Sequence, residues 1–449
     1  MVSDSFRVYG KDRLDLGRQA ALSSGGRVRS ALRELSRMAK RDGTLPVGRA
    51  RVTPEVRSEL EGLARGLSMG TDDLARTRAA LQSLAMAGCT NFGAVPPATG
   101  DGSLLSWNFD APKLLKRLMG GFPLYVREVE GTTPYLCLGL PALFGIGLLN
   151  AEGLACVVNA VGLTDEGEGL TPFELNNTAM ETCSTVEEAE ALWSGEPRAA
   201  VRAKAMGMLM NWNTIWTDGG RELSVFECSH SHFHRQNAEA DGLVASANHH
   251  QFLDRTLSGS FDPTEQELMA GSYSRLARMW ALLREYQGGI DPMVANSITS
   301  DHIPDYSPLR RFGVTREWWE GKLDDSTICA HPWNFFRHVL KGEFEAAYME
   351  AGFSTTLYSI QVQPEKMTVW FTNGNPCRNP TLPLYWGRLL GTGRGGEGAA
   401  LDPAAFRKAP VVAGGGGMFR RDAGPAAAFL TSVWMRVTEA FESHYSNGA

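Results

Sequence analysis

The 449 residues hold no CxxC pair, no block of basic residues, no repeat of fixed period and no apolar segment at the start. Each absence excludes something. Seven cysteines, an odd number without CxxC, fit a reduced chain with mostly buried thiols rather than a disulfide scaffold. The opening MVSDSFRVYGKDR has no apolar run, so no signal peptide is expected, and a cytoplasmic location follows. A net charge of −6 without a basic face predicts no nucleic-acid partner. One uncharged stretch, residues 131–151, has the length of a membrane span, but Pro134, Pro141 and its glycines break it. Two buried strands around a turn are expected there, and no membrane partner. With 43% hydrophobic and 21% charged residues, disorder, collagen-like structure and coiled coil are excluded as whole-chain descriptions.

Charge is divided unevenly. Residues 1–88 carry 16 Lys/Arg against 10 Asp/Glu, a balance of +6, and the remainder carries 28 against 40, a balance of −12. Two pieces that attract each other are expected. The first has helical spacing over 27–42 and 53–66, then a helix from Thr71 to near Gly88 with acids in its first turn. From Cys89 the texture becomes β-like: 103–110, 123–131, 133–140, and 145–163 with a turn at Asn150–Gly153. A helix capped at Thr185 spans 186–193, strands follow at 209–216, 222–228 and 240–250, and a helix at 271–286. A strand pair lies at 355–363 and 366–373, ahead of the turn GNPC. Residues 387–449 read as a Gly/Ala-rich connection and a C-terminal helix at 426–445. The order predicts an α+β fold with large sheets.

The texture changes at Gly88-Cys89-Thr90. A thiol there could attack the preceding carbonyl, turning the peptide into a thioester that water cleaves. The new chain would begin with Cys89, carrying a nucleophilic sulfur and an α-amine, of pKa about 8, on one residue. Alone, the tripeptide reads as an unremarkable helix-ending glycine and a buried cysteine.

The surrounding segments extend the reading. GCTNFGAVPPATGDGSLLSWNFD, containing Cys89, Thr90, Asp101-Gly102 and Asn108-Phe109-Asp110, resembles the start of the mature chain in the penicillin-type acyltransferase family of N-terminal-nucleophile hydrolases. GLLNAEGLACVVNAVGL, NWNTIWTDGGRELSVFECS, ADGLVASANHH, GSYSRLARM and FTNGNPC follow in that family's order. The resemblance covers about residues 10–380. It implies a four-layer αββα sandwich over 89–386, preceded by a helical propiece, 1–88, cut off between Gly88 and Cys89. The two chains would stay associated as a heterodimer, with further oligomerisation open. It also implies acyl transfer at carbon–nitrogen bonds of a small-molecule amide or acyl-thioester, with no cofactor and no metal. Cys89 would form the acyl-enzyme, Asp110 hold the α-amine, Asn248 donate to the oxyanion with Asn159 beside it, and Arg275 anchor Asp110 or the new terminus. Thr90, Trp107 and His249 are expected against the substrate. Where related bile-salt-type hydrolases carry an Arg before the N-x-D element, this chain has Ser106 and Trp107.

Two rival readings stand beside this one. His230, His232 and His234 in HSHFH would share one face of a strand and could hold the zinc of a metal-dependent hydrolase. A non-catalytic relative of the fold is the other. Asp301-His302 reads as a loop salt bridge, and Glu227 as a structural acid.

Overall fold

The structure, a computed structural model, describes residues 7–23, 50–85, 88–119, 123–203, 208–219, 222–261, 267–313, 327–331, 340 and 355–392. All lie in a compact unit spanning Met1–Pro410; the second unit, Val411–Ala449, lies outside the described residues. So do the helices expected at 27–42 and 426–445 and most of the Gly/Ala-rich connection.

Among the described residues the fold is mixed α/β with two large sheets. The first, nine-stranded, runs β1 (Arg7–Gly10), β4 (Leu124–Val129), β5 (Tyr135–Leu140), β6 (Phe144–Asn150), β7 (Ala155–Leu163), β9 (Met208–Thr217), β10 (Leu223–Cys228), β11 (Phe233–Asn237), with β8 (Val201–Ala203) also paired to β9. The second, six-stranded, runs β12 (Leu243–Ser246), β2 (Cys89–Ala94), β3 (Leu104–Asp110), β13 (Thr356–Gln363), β14 (Thr368–Asn373), β15 (Thr381–Tyr385). The uncharged stretch forms β5 and β6, with Asn150 accepting from the backbone of Glu152 and Leu154 to close the next turn. No helix among the described residues is long and apolar enough to cross a membrane.

Among the described residues the α-helices are α1 (13–23), α2 (Pro54–Leu67), α3 (Thr71–Ala85), α4 (Lys113–Met119), α5 (Pro172–Thr182), α6 (Val186–Gly195), α7 (Arg255–Ser258), α8 (Glu267–Glu285) and α9 (Pro292–Thr299). Their starts follow local chemistry. Thr53 caps α2 ahead of Pro54, and Thr171/Glu174 and Thr185/Glu188 form capping boxes on α5 and α6. Helices α3, α5 and α6 pack on the nine-stranded sheet, whereas α8 and α9 pack on the six-stranded one. The remaining faces of the two sheets meet, β2 and β3 against β7 and β9. Strand β7 is therefore buried along its whole length, which explains its near-continuous apolar sequence, ACVVNAVGL. Gly93 permits the close approach: a Cβ there would lie 2.5 Å from Leu223 and 3.1 Å from Ile215 of the facing sheet.

The segment before Gly88 is not wholly helical as expected. Arg7–Gly10 forms a strand parallel to β4 at the edge of the larger sheet. With only four residues it has too little period to be read in advance. Behind it, buried ion pairs join the segment to the rest. Arg127 donates to both oxygens of Glu59 (2.5 and 2.6 Å) and to Glu181 (3.2 Å), Arg13 also donates to Glu181, and Arg78 pairs with Glu174. Attraction between the two pieces thus takes the form of specific pairs, with cations contributed by both sides.

Candidate active site

Cys89 opens β2, and the pleat fixes where its atoms go. Asn91 and Gly93 share its face and meet the larger sheet, whereas Thr90, Phe92 and Ala94 turn toward α8 and α9. The thiol thus lies in the core between the sheets, 2% exposed, in register with Phe109. Burial, and then the neighbouring Asp110 charge, push it up to about 12, against the lowering influence of the Trp107 indole and Arg275. In the continuous chain it is a neutral thiol at pH 7.

Polar groups converge on the Gly88–Cys89 peptide. The Cys89 N–H donates to Asn248 Oδ1 at 3.1 Å. That oxygen also accepts from Arg275 Nη2 at 2.5 Å, and Arg275 Nε donates to Thr90 Oγ1 at 2.9 Å. On the other side of the bond the Gly88 carbonyl accepts from the Asp110 N–H at 2.9 Å. The Asp110 carboxylate accepts from Thr356 Oγ1 at 2.6 Å. Cys89, Asp110, Asn248, Arg275 and Thr90 are therefore assembled in one place.

In the continuous chain each also makes contacts of its own. Asn248 presents its carbonyl oxygen to Cys89, while its Nδ2 donates to Ala160 O at 2.7 Å. Arg275 reaches Thr90 and Asn248, and Asp110 finds Thr356. Asn159 faces β2 from the opposite sheet, donating to Asn91 Oδ1 at 2.9 Å. His249 is buried in a structural setting: Nδ1 lies 2.7 Å from Ser272 Oγ, and the ring stacks on Tyr273 with centroids 3.7 Å apart. Burial first, then His250, Arg311 and Arg275, bring it down to about 3, so it is neutral and not a proton donor at ordinary pH. Trp107 is wholly buried on the inter-sheet face, opposite Asn91.

Four supporting residues escaped the sequence reading. Asn91 holds Asn159, and Asn213 donates to His249 O at 2.9 Å. Ser272 accepts from the Asn248 N–H at 2.7 Å, and Thr356 binds Asp110. The signal for the asparagines was an amide inside a strand otherwise buried, which demands a partner. Glu227 fills its expected structural part, accepting backbone N–H bonds from Gln251, Phe252 and Leu253. Two clefts on the surface, of about 290 and 230 Å³, lie around Arg127 and around Ala75, away from Cys89.

HSHFH does not present three imidazoles on one strand face. Only His234 lies on β11, stacked on Phe252; His230 and His232 occupy the preceding turn. His230 Nδ1 is 2.6 Å from Arg198 O, and His232 pairs with Asp165 at 3.7 Å. A four-residue connection reverses the chain before the strand begins, which is why alternation there misleads. Asp301 pairs with Arg278 at 2.8 Å, as a loop salt bridge, and His302 goes elsewhere.

Residues 142–307 match the family model described as "Acyl-coenzyme A:6-aminopenicillanic acid acyl-transferase". The resemblance carried by the ordered motifs is thus shown over a segment that contains Asn159, Asn248 and Arg275; Cys89 and Asp110 precede it. No curated protein matches the chain. Among solved structures it is similar to a penicillin V acylase from Agrobacterium tumefaciens, at 12% identity and TM-score 0.31, covering 64% of this chain and 75% of that one. A mutant conjugated bile acid hydrolase from Clostridium perfringens gives 11% identity and TM-score 0.32, covering 68% and 94%. A second variant of that hydrolase gives 10% and 0.29, covering 70% and 92%. Scores this low carry no argument about architecture or reaction.

Proposed function

We propose that the chain cuts its own Gly88–Cys89 bond and that Cys89 then transfers acyl groups from carbon–nitrogen or thioester bonds of small molecules. The observation that carries this is the pair of grips on one peptide: Asp110 N–H on the Gly88 oxygen, and Asn248 with Arg275 on the Cys89 nitrogen. The family match supports acyl transfer as the chemistry.

In the cut, Sγ adds to the Gly88 carbonyl carbon and its proton passes to the Cys89 nitrogen. The Asp110 N–H stabilises the oxyanion; one such donor is worth about 3–4 kcal/mol of barrier. The C–N bond breaks, leaving a thioester and an α-amine, and water then releases the Gly88 carboxylate and the thiol. In turnover the same sulfur adds to a substrate carbonyl, with the α-amine as the base that receives its proton. The departing amine or thiol takes that proton, and water or an amine accepts the acyl group. Asn248 and Arg275 would orient the α-amine by continuity with their hold on the N–H, and Asn159 would face the reacting centre from the larger sheet. The layered helices and sheets read as an αββα sandwich, with residues 1–88 retained as the smaller chain of a cytoplasmic heterodimer.

The test is an intact-mass spectrum under denaturing conditions with N-terminal sequencing. Two pieces, the larger beginning Cys-Thr-Asn, are expected from the native sequence and one uncut chain from Cys89→Ala. A single uncut native chain, or turnover retained by Cys89→Ala, overturns the reading.

A further inference from the structure

Four thiol and imidazole groups that the reaction does not use are brought together in one place. His302, Cys329, His331 and Cys377 bring one ligand atom each to within 4.8 Å of one another. Cys329 Sγ lies 3.7 Å from Cys377 Sγ, and His331 Nε2 lies 3.4 Å from the first sulfur and 3.2 Å from the second. The His302 and His331 ring centres are 5.1 Å apart. The four come from three separate segments: the loop after α9, the strap 327–331, and the turn between β14 and β15.

We propose that these side chains bind one Zn²⁺ in a closed, tetrahedral Cys₂His₂ site. Zinc bonds of about 2.3 Å to sulfur and about 2.0–2.1 Å to nitrogen give tetrahedral edges of roughly 3.8 Å for S···S and roughly 3.6 Å for N···S. The separations among Cys329, Cys377 and His331 are close to that size, and His302 completes the set within 4.8 Å. Two thiolates with two imidazoles form a borderline-soft donor set that suits Zn²⁺ rather than Mg²⁺ or Ca²⁺. Four protein ligands fill the tetrahedron, so the site is structural and leaves no position for substrate. Binding releases the two thiol protons as the metal–sulfur bonds form.

The surroundings hold the ligands in place. Asn375 Nδ2 lies 3.8 Å from Cys329 Sγ and donates to Ala330 O at 2.7 Å, and the Cys329 N–H donates to Asp301 O at 3.0 Å. Gly374, at φ +115°, turns the chain toward Cys377 in a conformation that disfavours any side chain.

The consequence reaches the candidate active site. Between the two ligands Cys329 and His331, the Ala330 N–H donates to Thr356 Oγ1 at 3.0 Å, and that hydroxyl donates to Asp110. Asn108, two residues before Asp110, donates to Ile328 O at 2.9 Å. Zinc would pin the strap that braces the strand carrying Asp110. The ligands are positioning residues, and the ion takes no part in acyl transfer.

The experiment is metal analysis of the purified full-length protein, then Co²⁺ titration of chelator-treated, thiol-reduced protein. About one zinc per chain is expected, together with thiolate-to-cobalt charge-transfer absorption that zinc abolishes. Both signals should persist in Cys89→Ala, so failure of the acyl-transfer reading leaves this one standing. They should vanish in Cys329→Ser and Cys377→Ser; if those variants do not fold, the Co²⁺ spectrum of the native sequence decides. No retained metal and no cobalt spectrum, a Cys329–Cys377 disulfide in the purified protein, or undiminished binding by folded serine variants each overturn the proposal.

Discussion

Two regions of the molecule handle buried polarity in different ways. Beside the larger sheet, charge is neutralised in pairs: Glu59, Glu181 and Glu174 against Arg127, Arg13 and Arg78. Arg127–Glu59, Arg13–Glu181 and Arg78–Glu174 each join residues from before and after Gly88. Around β2 and β3 of the smaller sheet, amides and hydroxyls predominate, and with Arg275 they are arranged about one peptide bond. The first arrangement secures two pieces to each other whether or not they are covalently joined. The second surrounds the bond at which, under the proposed cleavage, they would come apart. A closed thiol is compatible with that sequence of events, because the first carbonyl it meets is the one already beside it.

The largest expected effect separates the regions outright. Cys89→Ala should abolish cleavage and turnover while leaving the ion pairs of the larger sheet intact, which intact mass and a turnover assay with a panel of acyl-amides would check. Next, Glu59→Ala leaves Arg127 without its bidentate partner and should lower stability by about 3–5 kcal/mol, read by denaturant unfolding. A loss below 1 kcal/mol would show that solvent replaces the carboxylate. Asn248→Ala removes the shared acceptor of Cys89 and Arg275, and about 1–3 kcal/mol of stability with markedly slower cleavage is expected. A stability loss with normal cleavage would reduce Asn248 to a packing role.

Smaller effects sharpen the contrast. His249 and His250 are both held down to about 3, mainly by burial. The unfolded chain protonates them below about pH 6.5, so their contribution is complete above that value and lost as pH falls toward 3. Melting temperature should therefore decline on acidification, and His250→Asn should flatten the decline; an unchanged slope would exclude that imidazole. Finally, the Cys89 thiol, pushed up to about 12, should react slowly with iodoacetamide in the uncut Gly88→Pro chain and faster in the cleaved protein. Equal rates would mean that cleavage leaves the thiol environment unaltered.

How far the sequence was legible depended on the range of the interactions. The hairpin at 145–163, the capped helix after Thr185 and the pair at 355–373 were readable because turn chemistry and periodicity are local. Strand β1 was not, since four residues acquire a strand's identity only from β4 beside them. Cys89, Asn248 and Arg275 emerged from the order of motifs, whereas spacing alone would have left a helix-ending glycine, a turn amide and a surface cation. The Cys/His cluster was hidden because its ligands are scattered from His302 to Cys377 and meet only after folding. HSHFH drew attention because its imidazoles are neighbours in sequence, yet three different partners take them.

The parallel pairing of Arg7–Gly10 with β4 has a consequence for how the protein can be made. A cut at Gly88 would change the connectivity of the chain but none of the backbone ladder, because the severed piece would still supply the outermost strand. Expressing residues 89–449 alone would expose the β4 edge as a template for pairing with other copies, and would take Glu59 from Arg127 on that strand. In that sense the early segment serves as a hem on the larger sheet, needed for as long as the sheet exists, with the Gly88–Cys89 bond whole or cut.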